Sequence, residues 1–363
     1  MSHRRLLLLV LFGILSLAAG WHFGPGRIPP DRRSAEIGSL AFPGLADRIA
    51  QARKVEIVHQ GKTLVIERRG DAAAADGDAP GSGLPGWGLA DRDLYPVQTS
   101  TLREILTGLT ELRLMEPRTS DPAKFARLGV EDPNLPDGGS NLLRVLDASD
   151  KPLAAIVLGH RRVRTQGNVP ESVYVRRPDQ TQAWLAEGKL EVSADPQTLI
   201  DRDILSIAPE RIMSVTVTRG AEHLEFTRDG DKLALTVPAD HPPLEAYRLD
   251  DISRALDNLT LLDVRRAHDP VAMPALGDAV FTAIDGLVVR VTLFKNDKDL
   301  WARLAVTGPA AIQAETKALS ARVNGWEYLV SSWKEKTLMP SLEDIRVQPK
   351  DNVQPGNRPA GEP

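Results

Sequence analysis

The chain has 363 residues, 42% of them apolar and 26% charged, with a net charge of −4 and no cysteine. That length holds two domains of ordinary size. The acidic balance argues against a nucleic-acid partner, which would need a basic face. The missing thiols exclude Cys-type zinc sites, iron–sulfur clusters, thiol catalysis and disulfides.

The first element is apolar. Arg4 and Arg5 precede a run without charge that reaches Trp21. Read as a signal peptide, Leu6 and Leu17 bound the apolar segment, and Ala18-Ala19-Gly20 supplies small residues for cleavage. Read as an anchor, residues 6–23 span about 27 Å at ~1.5 Å per residue, close to a hydrocarbon core of ~30 Å. Trp21 would sit at the far interface, where its ring is favoured. The anchor is the preferred reading of residues 1–23, with a cleaved periplasmic form as the alternative. Both leave Arg4 and Arg5 inside, so the expectation is a single pass through the inner (cytoplasmic) membrane with the bulk of the chain in the periplasm. Residues 24–40 read as an extended tether stiffened by Pro29 and Pro30.

A repeat follows. "VEIVHQGKTLVIERRG" at 55–70 matches "VTVTRGAEHLEFTRDG" at 215–230, pairing Val55 with Val215, Ile57 with Val217, Leu64 with Leu224 and Ile66 with Phe226. Both alternate with period two around a turn, as antiparallel hairpins do. Next, Leu102, Leu106, Leu109, Leu112 and Leu114 match Ile252, Leu256, Leu259, Leu262 and Val264. The first three of each set share one helical face. Strand-like runs come next at 141–159 and 279–294, the second around Asp285-Gly286, a strong hairpin signal. Further strands are expected at 172–177 and 300–306, then helices at 180–188 and 315–330.

The predicted fold class is α+β, with two tandem copies of a β-hairpin/helix/β-meander/helix unit. Mainly antiparallel sheets would carry helices packed on one face, after an N-terminal membrane helix. The first copy covers 41–210 and holds a loop-forming Ala/Gly-rich insert at 70–86. The second covers 211–347, and 348–363 is a polar, Pro-rich tail.

Chemistry is sparse. No phosphate-binding glycine loop, nucleophile-elbow serine or zinc-binding histidine pair is present. The histidines, at 3, 22, 59, 160, 223, 241 and 268, are scattered. Asp201 and Asp203 could form a carboxylate pair, but the repeat sets Lys334 and Lys336 opposite them, which favours a cap or solvated strand end. Asp91 and Asp93 read the same way. Trp184, Trp326 and Trp333 fall in helix-like segments and read as core plugs. The densest basic cluster contains His160, Arg161, Arg162 and Arg164, extended by Arg176 and Arg177. Its functional reading is contact with lipid headgroups or an acidic partner, against a solvated hairpin loop. No catalytic, cofactor-binding or metal-binding residue is assigned, and no cofactor is expected.

"LAFPGLADRIAQARKVEIVHQGKTLVIERRGD", "GWGLADRDLYPV", "LRLMEPRTSDPAKFARLGVEDP" and "SVYVRRPDQTQAWLAEG" together resemble a bacterial family defined only as a domain of unknown function. The resemblance covers roughly residues 40–345. It implies membrane anchoring and a place beside gliding-motility-type auxiliary ABC transporter components, and it carries over no catalytic residue. The function expected is that of a membrane-tethered extracytoplasmic accessory, binding or scaffold protein, with a membrane-protein complex as partner. The alternative is an envelope hydrolase acting on glycan or lipid, its site formed by carboxylates from both repeats.

Overall fold

The computed structural model describes residues 36–69, 86–162, 170–268, 273–296 and 298–347. The leader with Leu6, Leu17 and Trp21, most of the tether, the insert at 70–86 apart from Gly86, and the tail lie outside these. Among the described residues, no helix is long and apolar enough to cross a membrane.

Strands dominate. In chain order they are β1 (Lys54–His59), β2 (Lys62–Arg68), β3 (Trp87–Leu89), β4 (Tyr95–Pro96), β5 (Arg113–Thr119), β6 (Asn141–Leu146), β7 (Pro152–Arg162), β8 (Ser172–Arg176), β9 (Ala183–Glu187) and β10 (Asp203–Leu205). There follow β11 (Ile212–Arg219), β12 (Glu222–Asp229), β13 (Lys232–Val237), β14 (Leu259–Thr260), β15 (Asp263–Arg266), β16 (Ala275–Ala283), β17 (Val288–Lys295), β18 (Leu300–Thr307) and β19 (Trp326–Val330). The chain forms two compact units, Met1–Thr63 with Arg103–Ala194 and Leu64–Leu102 with Asp195–Pro363. The unit boundaries fall inside β2 and inside the helix Thr99–Glu111.

In the first unit the strand order is β1-β6-β7-β8-β9-β5, with each pair antiparallel. Period-two alternation builds the inner face: Val55, Ile57, Leu143, Val145, Ile156, Val173 and Val175 are all at most 1% exposed. Register ties them together, since Val55 faces Val145 and Leu143 faces Ile156. The edge strand β5 is interrupted by two register shifts and by Pro117, devices that discourage edge-to-edge pairing. Gly108 has a tertiary reason: a Cβ there would collide with the carbonyl oxygen of Lys189.

In the second unit the large sheet runs β13-β12-β11-β16-β17-β18-β19-β15. Val215, Val217, Leu224, Phe226, Phe281, Val291 and Leu293 form its inner face, none more than 1% exposed. Tyr95 meets Trp326 edge-on, with ring centroids 4.9 Å apart. Burial pushes the phenols of Tyr95 and Tyr328 far above their ordinary range. β2, β3 and β4 pair antiparallel, and β10 pairs with β14 in a small separate sheet.

Glu327 is only 2% exposed, between Arg265 (Nε to Oε2, 2.8 Å) and Arg303 (Nη2 to Oε1, 2.7 Å). The Arg265 guanidinium also lies 3.9 Å from the Trp301 ring centre. Removing one partner of a buried ion pair costs about 3–5 kcal/mol, but these arginines are 39% and 26% exposed, so solvent weakens the pair. Glu327→Gln is therefore expected to cost about 2 kcal/mol, read from the midpoint of urea unfolding at constant slope.

The expected α+β unit with helices over one face is not what forms. Residues 180–188 give strand β9, not a helix. Residues 315–330 give a helix only over Gln313–Val323, followed by β19. The helical face read at Ile252, Leu256 and Leu259 is helix only as far as Ser253; Leu256 falls in the turn that follows and Leu259 opens β14. The physical reason is burial on both faces. Ala183, Trp184, Leu185 and Ala186 are all buried, and a short continuous apolar run carries no period that separates a buried strand from a helix. The two units share strand order instead. β1, β6, β7, β8, β9 and β5 stand in the same sequence as β11, β16, β17, β18, β19 and β15.

Candidate functional site

The stretch "DPAKFARLGVEDP" folds into a strap on the outer face of the first unit's sheet. Asp121 caps it, accepting the Ala123 N–H at 3.1 Å, and Pro122 opens the 3₁₀ turn Pro122–Arg127. Gly129 takes a φ of +67°, a left-handed turn that suits glycine. Phe125 and Val130 then pack on Val58, Leu142 and Val157. The strap's backbone lies directly on β7. A Cβ at Gly159 would sit 2.8 Å from the Gly129 carbonyl and still closer to Leu128. Arg176 pins the strap from β8: its Nε donates to the Val130 carbonyl at 3.0 Å, and its guanidinium lies 4.9 Å from the Phe125 ring centre. Burial lowers the pKa of that guanidinium, as expected when a charge is satisfied by carbonyls and a ring rather than by water.

Beyond the strap, Glu131 organises the glycine turn. Its Oε1 accepts the Gly139 N–H at 2.5 Å, while Oε2 is buried with no hydrogen-bond partner among the described residues. His59 Nδ1 lies 2.9 Å from the Ser140 carbonyl. The His160 ring packs against Gly129, where a Cβ would lie 2.9 Å from it.

The first unit carries two grooves. One, of about 590 Å³, has Leu142, Leu146 and Ala155 in its lining and two ion pairs at its sides, Lys54–Asp150 at 2.8 Å and Glu56–Arg144 at 3.3 Å. The other, of about 630 Å³, is lined by Glu111, Arg113, Glu171, Glu187 and Lys189 among others.

The basic cluster read from sequence is dispersed over this surface. Arg161 pairs with Glu171 and Glu191, each at 2.7 Å, and the Glu171 bond raises its pKa. Arg177 pairs with Glu36 at 3.0 Å and donates to the Ala41 carbonyl at 2.8 Å. Arg162 ends β7 half-buried and His160 is exposed. Arg164 lies outside the described residues. Arg176 and Arg177 are thus committed to the fold's own acceptors. The sequence reading missed Glu131, the Glu56–Arg144 pair and the apolar floor of Leu142 and Leu146. The paired glycines at 138 and 139 were the only local signal for the first of these.

Elsewhere, Asp201 binds Arg322 at 2.7 Å, whereas the Asp203 carbonyl accepts from the same arginine. Asp91 pairs with Arg92 at 3.1 Å. Trp184 and Trp326 are buried in strands, whereas Trp333 is 61% exposed and not a core plug. Among the described residues, no group of three His, Cys, Asp or Glu side chains could hold a metal. The arrangement offers shape, an apolar floor and ion-paired walls, the elements of recognition.

The strap is expected to loosen in acid. Backbone hydrogen bonds from Ala123 and Asn134 hold the Asp121 and Asp132 carboxyls below the ordinary 3.8. A carboxyl depressed in the folded state adds stability above its unfolded pKa and loses it as pH falls through the folded value. Amide exchange at Ala123 and Asn134 is therefore expected to accelerate, relative to β6, as pH drops below about 3.8.

No curated protein and no solved structure matches the chain. Membrane anchoring and a transporter neighbourhood, implied by the resemblance, gain no support from the comparisons. The family match spans residues 87–275 and so contains the whole strap but not β1. Because that match covers more than half of the 363 residues, the chain belongs to the family described as Domain of unknown function (DUF4340).

Proposed function

We propose that this chain is a membrane-tethered extracytoplasmic accessory protein, a binding or scaffold module working beside a transporter or other envelope assembly. The observation that carries the reading is the leader: Arg4 and Arg5, then an uncharged apolar run through Trp21. That pattern places the basic residues inside and the remainder outside the cytoplasm. The absence of cysteine is in keeping with an oxidising compartment. The strapped face with its 590 Å³ groove offers a surface on which a partner could dock.

The test is fractionation of cells making the full chain. The reading expects sedimentation with membranes, resistance to alkaline carbonate, and digestion by protease added to spheroplasts. Intact mass then decides between an anchor and a cleaved leader. Recovery of the full-length chain in the soluble fraction, protected from external protease, would overturn the proposal.

A further inference from the structure

We infer that the edge of the first unit at Ile37 and Met115 rests on the headgroup layer of the bilayer that holds the leader; this depends on the tethered reading above. Ile37 is 50% exposed and Met115 37% exposed, and the backbone places them together. The Gly38 N–H donates to the Leu114 carbonyl at 2.6 Å, and Leu40 bridges Arg113 antiparallel, so the incoming segment runs back along β5. Charges beside the pair are already neutralised: Arg118 with Glu116 at 2.7 Å, Arg177 with Glu36 at 3.0 Å. The Arg113 Nη1 donates to the Gly38 carbonyl at 3.3 Å. An apolar pair ringed by paired charges suits the boundary between headgroups and acyl chains, where polar groups stay wet and apolar ones need not.

Chain length selects the occupant. Only residues 24–35 separate the apolar run from Glu36, a reach of roughly 40 Å even when fully extended. A short tether makes docking intramolecular, at an effective concentration in the millimolar range. Contact by two side chains, far too weak to hold a free protein on lipid, is then populated. A protein partner is a poorer fit, because two half-exposed side chains fall far short of the ~800 Å² per side that a stable interface needs.

The absence of native cysteine allows a clean test. The full chain is reconstituted in phosphatidylcholine–phosphatidylglycerol nanodiscs as three variants, Ile37→Cys, Met115→Cys and Ile284→Cys, each carrying a nitroxide. Ile284, 65% exposed at the β16–β17 turn, is the control. Accessibility to oxygen, relative to a water-soluble nickel chelate, is expected to be at least threefold higher at positions 37 and 115 than at 284. Equal ratios at all three positions, in protein that co-elutes with the discs, would overturn this inference and leave the tether intact. Protein that elutes free of discs would overturn both.

Discussion

Leu256→Arg is expected to unfold the second unit. Leu256 is 0% exposed. Its carbonyl accepts the Ile207 N–H at 3.0 Å, so its backbone is fixed as well as its side chain. Truncation of such a leucine to alanine typically costs about 2–5 kcal/mol. Arginine loses the same packing and must also take a cation into the core, a further cost of several kcal/mol. The sum matches the whole stability of an ordinary domain, about 5–15 kcal/mol. Hydrogen exchange read by mass spectrometry should show β11–β13 and β16–β19 exchanging at unfolded rates. Leu256→Met, which keeps volume and polarity, should cost under ~1.5 kcal/mol. A Leu256→Arg protein with wild-type protection in those strands would show that the turn after Ser253 does not seat Leu256 in the core.

Where the sequence was legible, period decided it. Val55 and Ile57, or Val215 and Val217, alternate with polar neighbours and lie buried in β1 and β11. The helix Thr99–Glu111 was readable from Leu102, Leu106 and Leu109 on one face. Where residues are buried on both sides, as in β9 and β19, alternation vanishes, and those runs were read as helix. The strap was illegible for another reason. Its anchors are a carbonyl seated on Gly159 and a guanidinium spent on backbone oxygens. Neither leaves a periodic trace, because each depends on a partner some 30 to 50 residues away. Glu327 shows the same limit: only the antiparallel register with Arg265 and Arg303 makes a glutamate acceptable inside "WEYLV". Arg176 and Arg177 looked like surface charge for that reason too, since the acceptors that tie them to other elements, in residues 36–41 and 130, are distant in sequence.

Gly159→Ala tests the strap directly. The added methyl would sit 2.8 Å from the Gly129 carbonyl, and the atoms in the way are backbone, not the flexible end of a side chain. Overpacking of this kind costs typically 1–3 kcal/mol and occasionally more. Relief requires the strap to lift from β7, which would strip Phe125 and Val130 from Val58, Leu142 and Val157 and break the Arg176 bond to the Val130 carbonyl. The expected cost is about 3 kcal/mol. It should be uneven: amide protection falls first at residues 123–139, while β1 and β6 keep theirs. Gly220→Ala is the informative contrast. Nothing lies within 4 Å of its Cβ position, so only its φ of +56° is strained, worth about 1–2 kcal/mol. Gly159 lies in ordinary strand backbone and carries no left-handed strain, so a loss at Gly159 no larger than that at Gly220 would mean that the strap yields to the added methyl at little cost. A larger loss at Gly159, confined to the strap, would identify the seat of "RLGVEDP" on β7 as the structural reason that this motif and the glycine of "LGH" occur together in the chain.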